Sequence, residues 1–528
     1  MRVGFAGRSH TEFRSGIARS YGDTYIERIS VQRTGRAYYV RTGGRQRARS
    51  AWIEGETLSG NETHEVDVVI IGAGLSGLAA ARRLVDNGRS VVVLEAKTQV
   101  GGRTRDGWAG TTRVDDGASL VYPVHHNVFR LAAAHRVELF EGNFDGRFLF
   151  VSEGVTHTLR LGSTPGIRLL GRPSLRPLLR IALRLTARWL DLPLTPADLT
   201  ELLGAIGRLD DLAATVPAQA PWTAPDAVAL DRRTLGSWLA DELTSPSTRA
   251  VVESSLAGFV PLSTSLLYTL HFLNTWGGVG SLLFGQQRSV YRFNGGAAGL
   301  AVAVAESLGD RVQLGSPARA IHRQRDRVIV HSATAEFAAR RVIVAFTPSG
   351  MREVRFVPEL PGDRALLHDA WLPVHGRKIN VVYPEPFWRR AGLSGAALGD
   401  LGPIPGVTDV SPRDPGVGIL TSYVAVDETT VDPDTRRAAV LAAYARLFGP
   451  RALEPLAYVE KNWADEPFAF GCEGGLACGA LTTTRRLPKE PVGRVHWAGV
   501  ETADAWMGFM SGAIQAGERA ADEVLAAG

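Results

Sequence analysis

The sequence contains little cysteine and little lysine, and both shortages exclude functions. Only Cys472 and Cys478 occur, and only four of the 59 basic residues are lysine. Two cysteines exclude a disulfide-rich secreted scaffold, and neither lies in a CxxC or Cys/His pattern, so no metal site is predicted. No apolar run reaches 18 residues, so no transmembrane anchor is expected. The first residues lack the apolar core of a signal peptide, which makes the cytoplasm the expected location.

The positive charge is concentrated at the start of the chain. Residues 1–50 hold eleven arginines and three acidic residues, whereas the whole chain has a net charge of +5. The remainder is therefore slightly acidic, which argues against a nucleic-acid partner. Residues 1–64 show no periodicity and are predicted to be a disordered basic extension. Arginines at every fourth position across 168–191 leave two interpretations open, a peripheral membrane contact or, more simply, a solvated face.

The organisation changes at Val66, where "VDVVIIGAGLSGLAAARRL" is typical of a strand, a glycine turn and a helix. In the GxGxxG pattern, Gly72 allows a sharp turn, Gly74 admits a pyrophosphate and Gly77 lets helix and strand approach. The helix N-terminus would hold the anion. Glu95 ends the next apolar strand, where a carboxylate can accept hydrogen bonds from ribose. The arrangement predicts a dinucleotide site of the Rossmann type.

A second glycine turn follows the ribose-binding acid. In "GGRTR" (101–105), Gly102 and Arg103 offer backbone donors and a cation to a dinucleotide that is already bound. Farther along, residues 164–214 are predicted to be helical, with Ser174 and Thr195 as candidate helix starts, and 235–275 are predicted to be helical too. A strand across "RVHWAGVE" and a helix from about Ser511 complete the prediction of a mixed α/β (α+β) fold.

These stretches together resemble the flavin amine oxidase family, with monoamine oxidase as the nearest member. "GAGLSG", "GGRTR", "DDGAS", "FNGGAAGLAVAVAESLGDRVQL" and "RVHWAGVETADAWMGFMSGAIQAGERAA" carry the resemblance, which covers almost all of 66–525. It implies a discontinuous FAD-binding domain (65–143, 289–367 and 466–528) and an interleaved substrate-binding domain (144–288 and 368–465). It also implies that FAD contacts Gly72, Gly74, Ser76, Gly77, Glu95, Gly102, Arg103, Val312, Cys472, Gly499 and Glu501.

The resemblance also implies a reaction centre. Lys378, seven residues before "EPFW", matches the lysine that in this family bonds through a water to the flavin nitrogen. Cys472, ten residues after Asn462, matches the cysteine that monoamine oxidases attach to flavin, although many relatives bind FAD without a bond. The two tyrosines that flank the amine in those enzymes correspond to Glu473 and Phe509. The carboxylate departs from the pattern, and Phe470 is a nearby aromatic replacement.

Three functions are compatible with this sequence. The leading hypothesis is FAD-dependent oxidation of a small amine, with oxygen as the second substrate and hydrogen peroxide as a product. An FAD-dependent desaturase or dehydrogenase of an isoprenoid or natural-product intermediate is the second. A non-catalytic flavin-binding protein is the third, against which the intact glycine motifs and Lys378 count. A homodimer is compatible with all three.

Overall fold

The computed structural model describes residues 31–34, 37–40, 63–152, 154–159, 195–256, 259–279, 290–374, 376–413, 416–424, 431–469 and 471–528. The chain divides into two compact units, Met1–Gly60 and Asn61–Gly528. In the first unit, two short described strands pair antiparallel as a hairpin, which the sequence did not predict. The rest of the predicted extension up to residue 62 and the arginine-rich stretch 168–191 lie outside the described residues.

The strands are numbered in chain order over the described residues. They are β1 (Val31–Thr34), β2 (Ala37–Val40), β3 (Thr63–Ile71), β4 (Val91–Leu94), β5 (Asp106–Ala109), β6 (Thr112–Asp115), β7 (Leu139–Glu141), β8 (Arg147–Ser152), β9 (Val155–Leu159), β10 (Tyr291–Phe293), β11 (Val312–Gln313), β12 (Ala318–Arg323), β13 (Val328–Ser332), β14 (Glu336–Val344), β15 (Arg355–Val357), β16 (Trp371–Val374), β17 (Arg377–Tyr383), β18 (Leu393–Gly399), β19 (Gly406–Asp409), β20 (Gly418–Val424), β21 (Ala457–Asn462), β22 (Cys472–Leu476) and β23 (Val495–Trp497).

The helices follow the same convention. They are α1 (Leu75–Asp86), α2 (His126–Ala134), α3 (Pro196–Ala214), α4 (Ala227–Arg232), α5 (Leu235–Glu242), α6 (Pro246–Leu256), α7 (Leu266–Asn274), α8 (Ala298–Leu308), α9 (Gly362–Asp369), α10 (Phe387–Arg390), α11 (Pro433–Phe448), α12 (Ala480–Thr484) and α13 (Met510–Ala526). Short 3₁₀ turns cover Pro221–Thr223, Gly309–Arg311, Pro348–Glu353, Pro450–Leu453, Trp463–Asp465 and Val500–Thr502. No described helix is both long and apolar enough to cross a bilayer.

The larger sheet has the order β11-β4-β3-β14-β13-β12-β15, and β23 also pairs with β14. Its strands β11, β4, β3, β14 and β23 run parallel, so their carboxyl ends meet at one edge. Val68 and Ile70 pack under α1, α8 and α13, whereas Val69 and Ile71 pack on the opposite face. The strand predicted from the apolar run after Val66 is confirmed, and it is buried on both faces, which explains why the run is continuous.

The second sheet has the order β21-β17-β20-β19-β18-β8-β9 and packs against α11. All its strands come from 147–159 and 377–462, whereas the larger sheet draws on 63–94, 312–357 and 495–497. The predicted mixed α/β architecture, with a discontinuous Rossmann-type part, is confirmed. The predicted domain boundaries stay a prediction, because residues 61–528 form one compact unit.

A helical layer between 196 and 274 forms a third core with α3 to α7. The predicted start at Thr195 is confirmed, because its hydroxyl accepts from Asp198 N at 3.1 Å while the Asp198 carboxylate accepts from Thr195 N at 2.9 Å. The helical character predicted for 235–275 is confirmed. The stretch forms three helices, since Pro246 starts a new helix and Pro261 lies in the turn before the next.

Candidate active site

The first glycine turn lies at the carboxyl edge of the larger sheet. Gly72 adopts φ +104°, which L side chains rarely reach. A Cβ at Gly77 would lie 1.9 Å from the carbonyl oxygen of Gly72, so only glycine lets α1 start this close to β3. At Gly74, which caps α1, a Cβ would meet nothing nearer than 4.0 Å, so the backbone there is open to a ligand.

The two glycine turns contact each other. Gly101 N donates to the carbonyl of Ala73 at 2.9 Å, and Gly101 forms a parallel bridge with Gly74. Gly102 adopts φ +57°, with its backbone against Gly74. The turns lie apart in sequence but form one glycine-lined surface. Such a surface admits the close backbone approach that a pyrophosphate needs.

Glu95 lies immediately beside this surface. Its carboxylate accepts from Ala73 N at 2.7 Å and from Lys97 N at 2.9 Å, and burial raises the pKa of Glu95 despite these bonds. Glu95 N donates to the carbonyl of Gln313, so β11 with the half-buried Val312 borders the same acid. The ribose-binding acid and Val312 predicted from the sequence therefore lie next to the glycine surface.

The helix α1, which begins at the glycine surface, packs tightly against α13. A Cβ at Gly517 of α13 would lie 2.0 Å from the carbonyl oxygen of Ser76 in α1. The Ser76 hydroxyl donates to the carbonyl of Ala498, so this side chain fastens α1 to the segment after β23. The free N–H groups at the start of α1 remain available, and a helix N-terminus stabilises negative charge.

Arg103 and Glu501 join the second glycine turn to the segment after β23. Arg103 Nη1 donates to Glu501 Oε1 at 2.7 Å, whereas Glu501 Oε2 is buried without a partner among the described residues. A Cβ at Gly499 would lie 2.9 Å from that oxygen. The residues present fit the flavin dinucleotide that the resemblance implies, because a hydroxyl-bearing ligand would satisfy this oxygen and the open backbone at Gly74 would take its pyrophosphate.

Lys378 is buried on β17, and only 1% of it is exposed. Its ammonium donates to the carbonyl of Gly117 at 2.6 Å and to Ser119 Oγ at 3.1 Å. Burial lowers the pKa of Lys378 to about 8, although the charges of Asp115 and Asp116 oppose the shift. A buried lysine with no direct carboxylate partner holds a proton that it readily gives up.

The strand that carries Cys472 and Glu473 pairs with β16, the strand that precedes Lys378 in the sequence. β22 pairs antiparallel with β16, and the register places Cys472 opposite Val374, four residues before Lys378. The roles predicted for the two side chains, and Phe470 itself, lie outside what the structure describes. Cys478 is exposed and has a free thiol.

Phe509 immediately precedes α13 and is half-buried in a cluster of rings. His125, the most buried of its neighbours, lies 4.9 Å from Phe509 between ring centroids and has no partner for Nε2. Burial lowers the pKa of His125 to about 4, so it is neutral at pH 7. The sequence singled out Phe509 but missed the other members, Tyr122, His125, Phe259, Trp276 and Trp506.

The described part of the chain holds no group of three His, Cys, Asp or Glu residues that could bind a metal. Gly117 and Ser119, which receive the ammonium of Lys378, belong to the "DDGAS" stretch, so that motif contained a signal for them. The ring cluster had no such signal, because its members are spread over nearly 400 residues.

Comparison with known proteins gives a family match over most of the chain. The family described as "Flavin containing amine oxidoreductase" matches residues 75–525. A Mycobacterium tuberculosis protein named as a flavin-containing monoamine oxidase is 35% identical over 474 residues, covering 88% of this chain and 98% of the relative.

Solved structures agree with this match. Putrescine oxidase bound to putrescine superposes with a TM-score of 0.78 at 27% identity, over 88% of this chain and 100% of that one. Cyclohexylamine oxidase from Brevibacterium oxydans gives a TM-score of 0.76 at 28% identity, over 88% and 99%. The similarity therefore extends over both sheets and the helical layer.

Proposed function

Because this chain belongs to the flavin-containing amine oxidoreductase family, and is thus an FAD-dependent oxidoreductase that acts on amines, we propose that it converts a small amine to an imine. The imine then hydrolyses to an aldehyde or ketone and ammonia. FAD, when bound, accepts a hydride from the carbon beside the nitrogen and passes the electrons to oxygen as hydrogen peroxide. The observation that carries this proposal is the buried ammonium of Lys378.

The burial of the Lys378 ammonium and its uncharged hydrogen-bond partners support a role for it in amine oxidation. The group is buried and, among the residues that the structure describes, is bonded only to the Gly117 carbonyl and the Ser119 hydroxyl, neither of which carries a charge. Burial brings the pKa of Lys378 to about 8, so the proton can be held or released near neutral pH. We propose that Lys378 orients a water at the reaction centre and exchanges its proton with it.

The glycine surface and its neighbours would hold the cofactor. Gly72, Gly74 and Gly77 would receive the pyrophosphate at the start of α1, and Glu95 the adenosine ribose. The other residues proposed to contact the cofactor are Ser76, Gly102, Arg103, Val312, Gly499 and Glu501. The unpartnered oxygen of Glu501 supports this assignment, since a buried acceptor requires a donor.

Phe509 and its ring cluster would form the substrate side. An apolar, aromatic surface favours the neutral amine over its ammonium form, and the neutral amine is the form that can be oxidised. The names of the structural relatives, putrescine oxidase and cyclohexylamine oxidase, support small amines as the substrate class. We propose that the carboxylate of Glu473 forms a polar contact with such an amine.

Cys472 is proposed to attach covalently to FAD. Its support is the family pattern and the β16–β22 register, which pairs Cys472 with Val374, four residues before Lys378 in the sequence. Acid precipitation of the purified protein tests the bond, because covalent flavin stays in the pellet. Yellow colour in the supernatant would refute attachment and leave FAD binding intact.

A peroxide assay tests the proposed reaction. Purified protein is incubated with putrescine, cyclohexylamine and an arylalkylamine, and hydrogen peroxide, ammonia and flavin bleaching under nitrogen are followed. We expect at least one amine to bleach the flavin and release peroxide on admission of air. Bleaching by no amine, together with bleaching by a polyene or cyclic precursor, would favour the desaturase hypothesis instead.

A further inference from the structure

Two of the four lysines converge on one buried carboxylate. Glu466 is only 3% exposed, and its Oε1 accepts from Lys97 Nζ at 2.6 Å and from Arg105 Nη1 at 2.5 Å. Its Oε2 accepts from Lys461 Nζ. Burial alone would raise the pKa of Glu466, but the bonds from Lys461 and Lys97 outweigh it and lower the pKa. The carboxylate is therefore charged at neutral pH.

The three cations come from separate parts of the chain. Lys97 lies two residues after Glu95 and donates its backbone N–H to that acid. Arg105 ends the second glycine turn, and Lys461 lies on β21 of the other sheet. Glu466 itself lies six residues before Cys472. One carboxylate thus joins the dinucleotide end of the surface to the segment that enters β22.

The same segment also touches the residues around Lys378. Trp463, whose carbonyl accepts from Glu466 N at 3.3 Å, donates its indole N–H to the carbonyl of Asp116 at 2.8 Å. The next carbonyl along the chain, that of Gly117, receives the ammonium of Lys378. A shift of the Glu466 segment would therefore move one of the two acceptors that hold Lys378.

Lysine suits this cluster for a physical reason. Two compact ammonium groups and one guanidinium fit around a single carboxylate, whereas three planar guanidinium forks would compete for the same space. The chain otherwise uses arginine for nearly all its positive charge. The arrangement is built around Glu466 rather than being a set of independent surface pairs.

We propose that Glu466 is a positioning residue for FAD. It holds the segment leading into Cys472 against the glycine turns, and through Trp463 it fixes the backbone that receives Lys378. This inference rests on the proposed function. Glu466 needs no contact with substrate or cofactor, because it acts through the residues it ties together.

The experiment compares Glu466→Gln with Glu460→Gln. Glu460 is a matched control, because it also binds several cationic and polar groups, and its partners Arg436 (at 2.7 Å), Arg377 and Tyr458 all lie outside the glycine turns. The flavin bound per protein, the visible flavin spectrum and the thermal midpoint are measured for both. The flavin count applies whether or not the cofactor is covalent.

We expect both variants to lose thermal stability but only Glu466→Gln to lose flavin, by about tenfold, with an altered visible band in the flavin that remains. Glu466→Asp, which keeps the charge, should recover part of the flavin content. If Glu466→Gln does not fold, Lys97→Gln takes its place and should lose flavin to a smaller extent.

Wild-type flavin content and spectrum in a folded Glu466→Gln protein, or in Lys97→Gln, would overturn the inference. Equal flavin loss in Glu466→Gln and Glu460→Gln would overturn it too, because the loss would then reflect stability alone. A wild-type protein that binds no FAD when reconstituted would instead refute the proposed function itself.

Discussion

Replacing Lys378 by methionine should separate stability from activity. The ammonium is buried without a direct carboxylate partner, so its charge is costly in the folded state. Methionine has a similar length and no charge, and it would fill the same space. We expect Lys378→Met to fold at least as stably as the wild type and to bind FAD, yet to oxidise amines poorly.

The magnitude follows from the pKa. The fall from 10.5 to about 8 corresponds to about 3 kcal/mol of destabilisation by the protonated form. The folded pKa is the lower one, so this destabilisation is fully present below pH 8 and disappears as the pH rises to 10.5. Methionine removes it but leaves the Gly117 carbonyl without its donor, at a cost of about 1–3 kcal/mol. The net change at pH 7 is then between zero and about 2 kcal/mol of stabilisation.

Denaturant unfolding at pH 7 and pH 9.5, combined with amine turnover, measures both effects. We expect the stability advantage of Lys378→Met to shrink at the higher pH, and turnover to fall by about 10²-fold or more. Lys489→Met is the matched control, because Lys489 pairs with Asp504 near the surface and should not affect turnover. Strong destabilisation by Lys378→Met would show that the ammonium stabilises the fold through its hydrogen bonds. Undiminished turnover would show that Lys378 takes no part in the reaction.

Three further predictions concern the cofactor surface and acid stability. Gly77→Ala should abolish flavin binding and destabilise the folded protein by about 3 kcal/mol or more, because its Cβ would overlap the Gly72 carbonyl. Flavin content and denaturant unfolding measure the two effects. Arg103→Met should cost about 3 kcal/mol and lower FAD affinity, since it leaves Glu501 buried without its cation. Burial raises the pKa of Glu201, but threonine hydrogen bonds outweigh it and lower that pKa to about 2. Glu201→Gln should therefore reduce stability at pH 7, and this loss should shrink as the pH falls from 4.5 and disappear below about pH 2.

Each of these predictions has an outcome that contradicts it. A Gly77→Ala protein with full flavin content would show that α1 can move away from β3. An Arg103→Met protein with wild-type FAD affinity would remove this arginine from the cofactor contacts. A stability loss in Glu201→Gln that persists below pH 2 would mean that the glutamine disturbs packing rather than charge.

The glycine turns could be predicted because their requirements are local. Gly72 and Gly77 are needed for a positive φ and for a close backbone approach, and both constraints act within a few residues. The buried strands β3 and β4 could be predicted as well, because each contains a continuous run of apolar residues. Lys378 and Phe509 were predicted from the family resemblance, because the sequence around each of them contains no pattern of its own.

The features that were missed depend on long-range contacts. The His125 ring lies against Phe509 although nothing near it in sequence marks it, and the Glu466 cluster requires the strand pairing of both sheets. The helical character predicted for 235–275 is confirmed, but its division into three helices was not predicted, although Pro246 and Pro261 lie at the two breaks.

The bond from the Ser76 hydroxyl to the carbonyl of Ala498 spans 422 residues of chain. A ribosome adding about 5–20 residues per second needs roughly 20–80 s to make that length. During this interval the nascent protein has the first glycine turn but neither Glu501 nor the helix that closes over it. The proposed contact between Glu501 and FAD therefore predicts that stable loading of the cofactor waits until synthesis has passed residue 526, and that the half-built nucleotide fold persists without FAD until then.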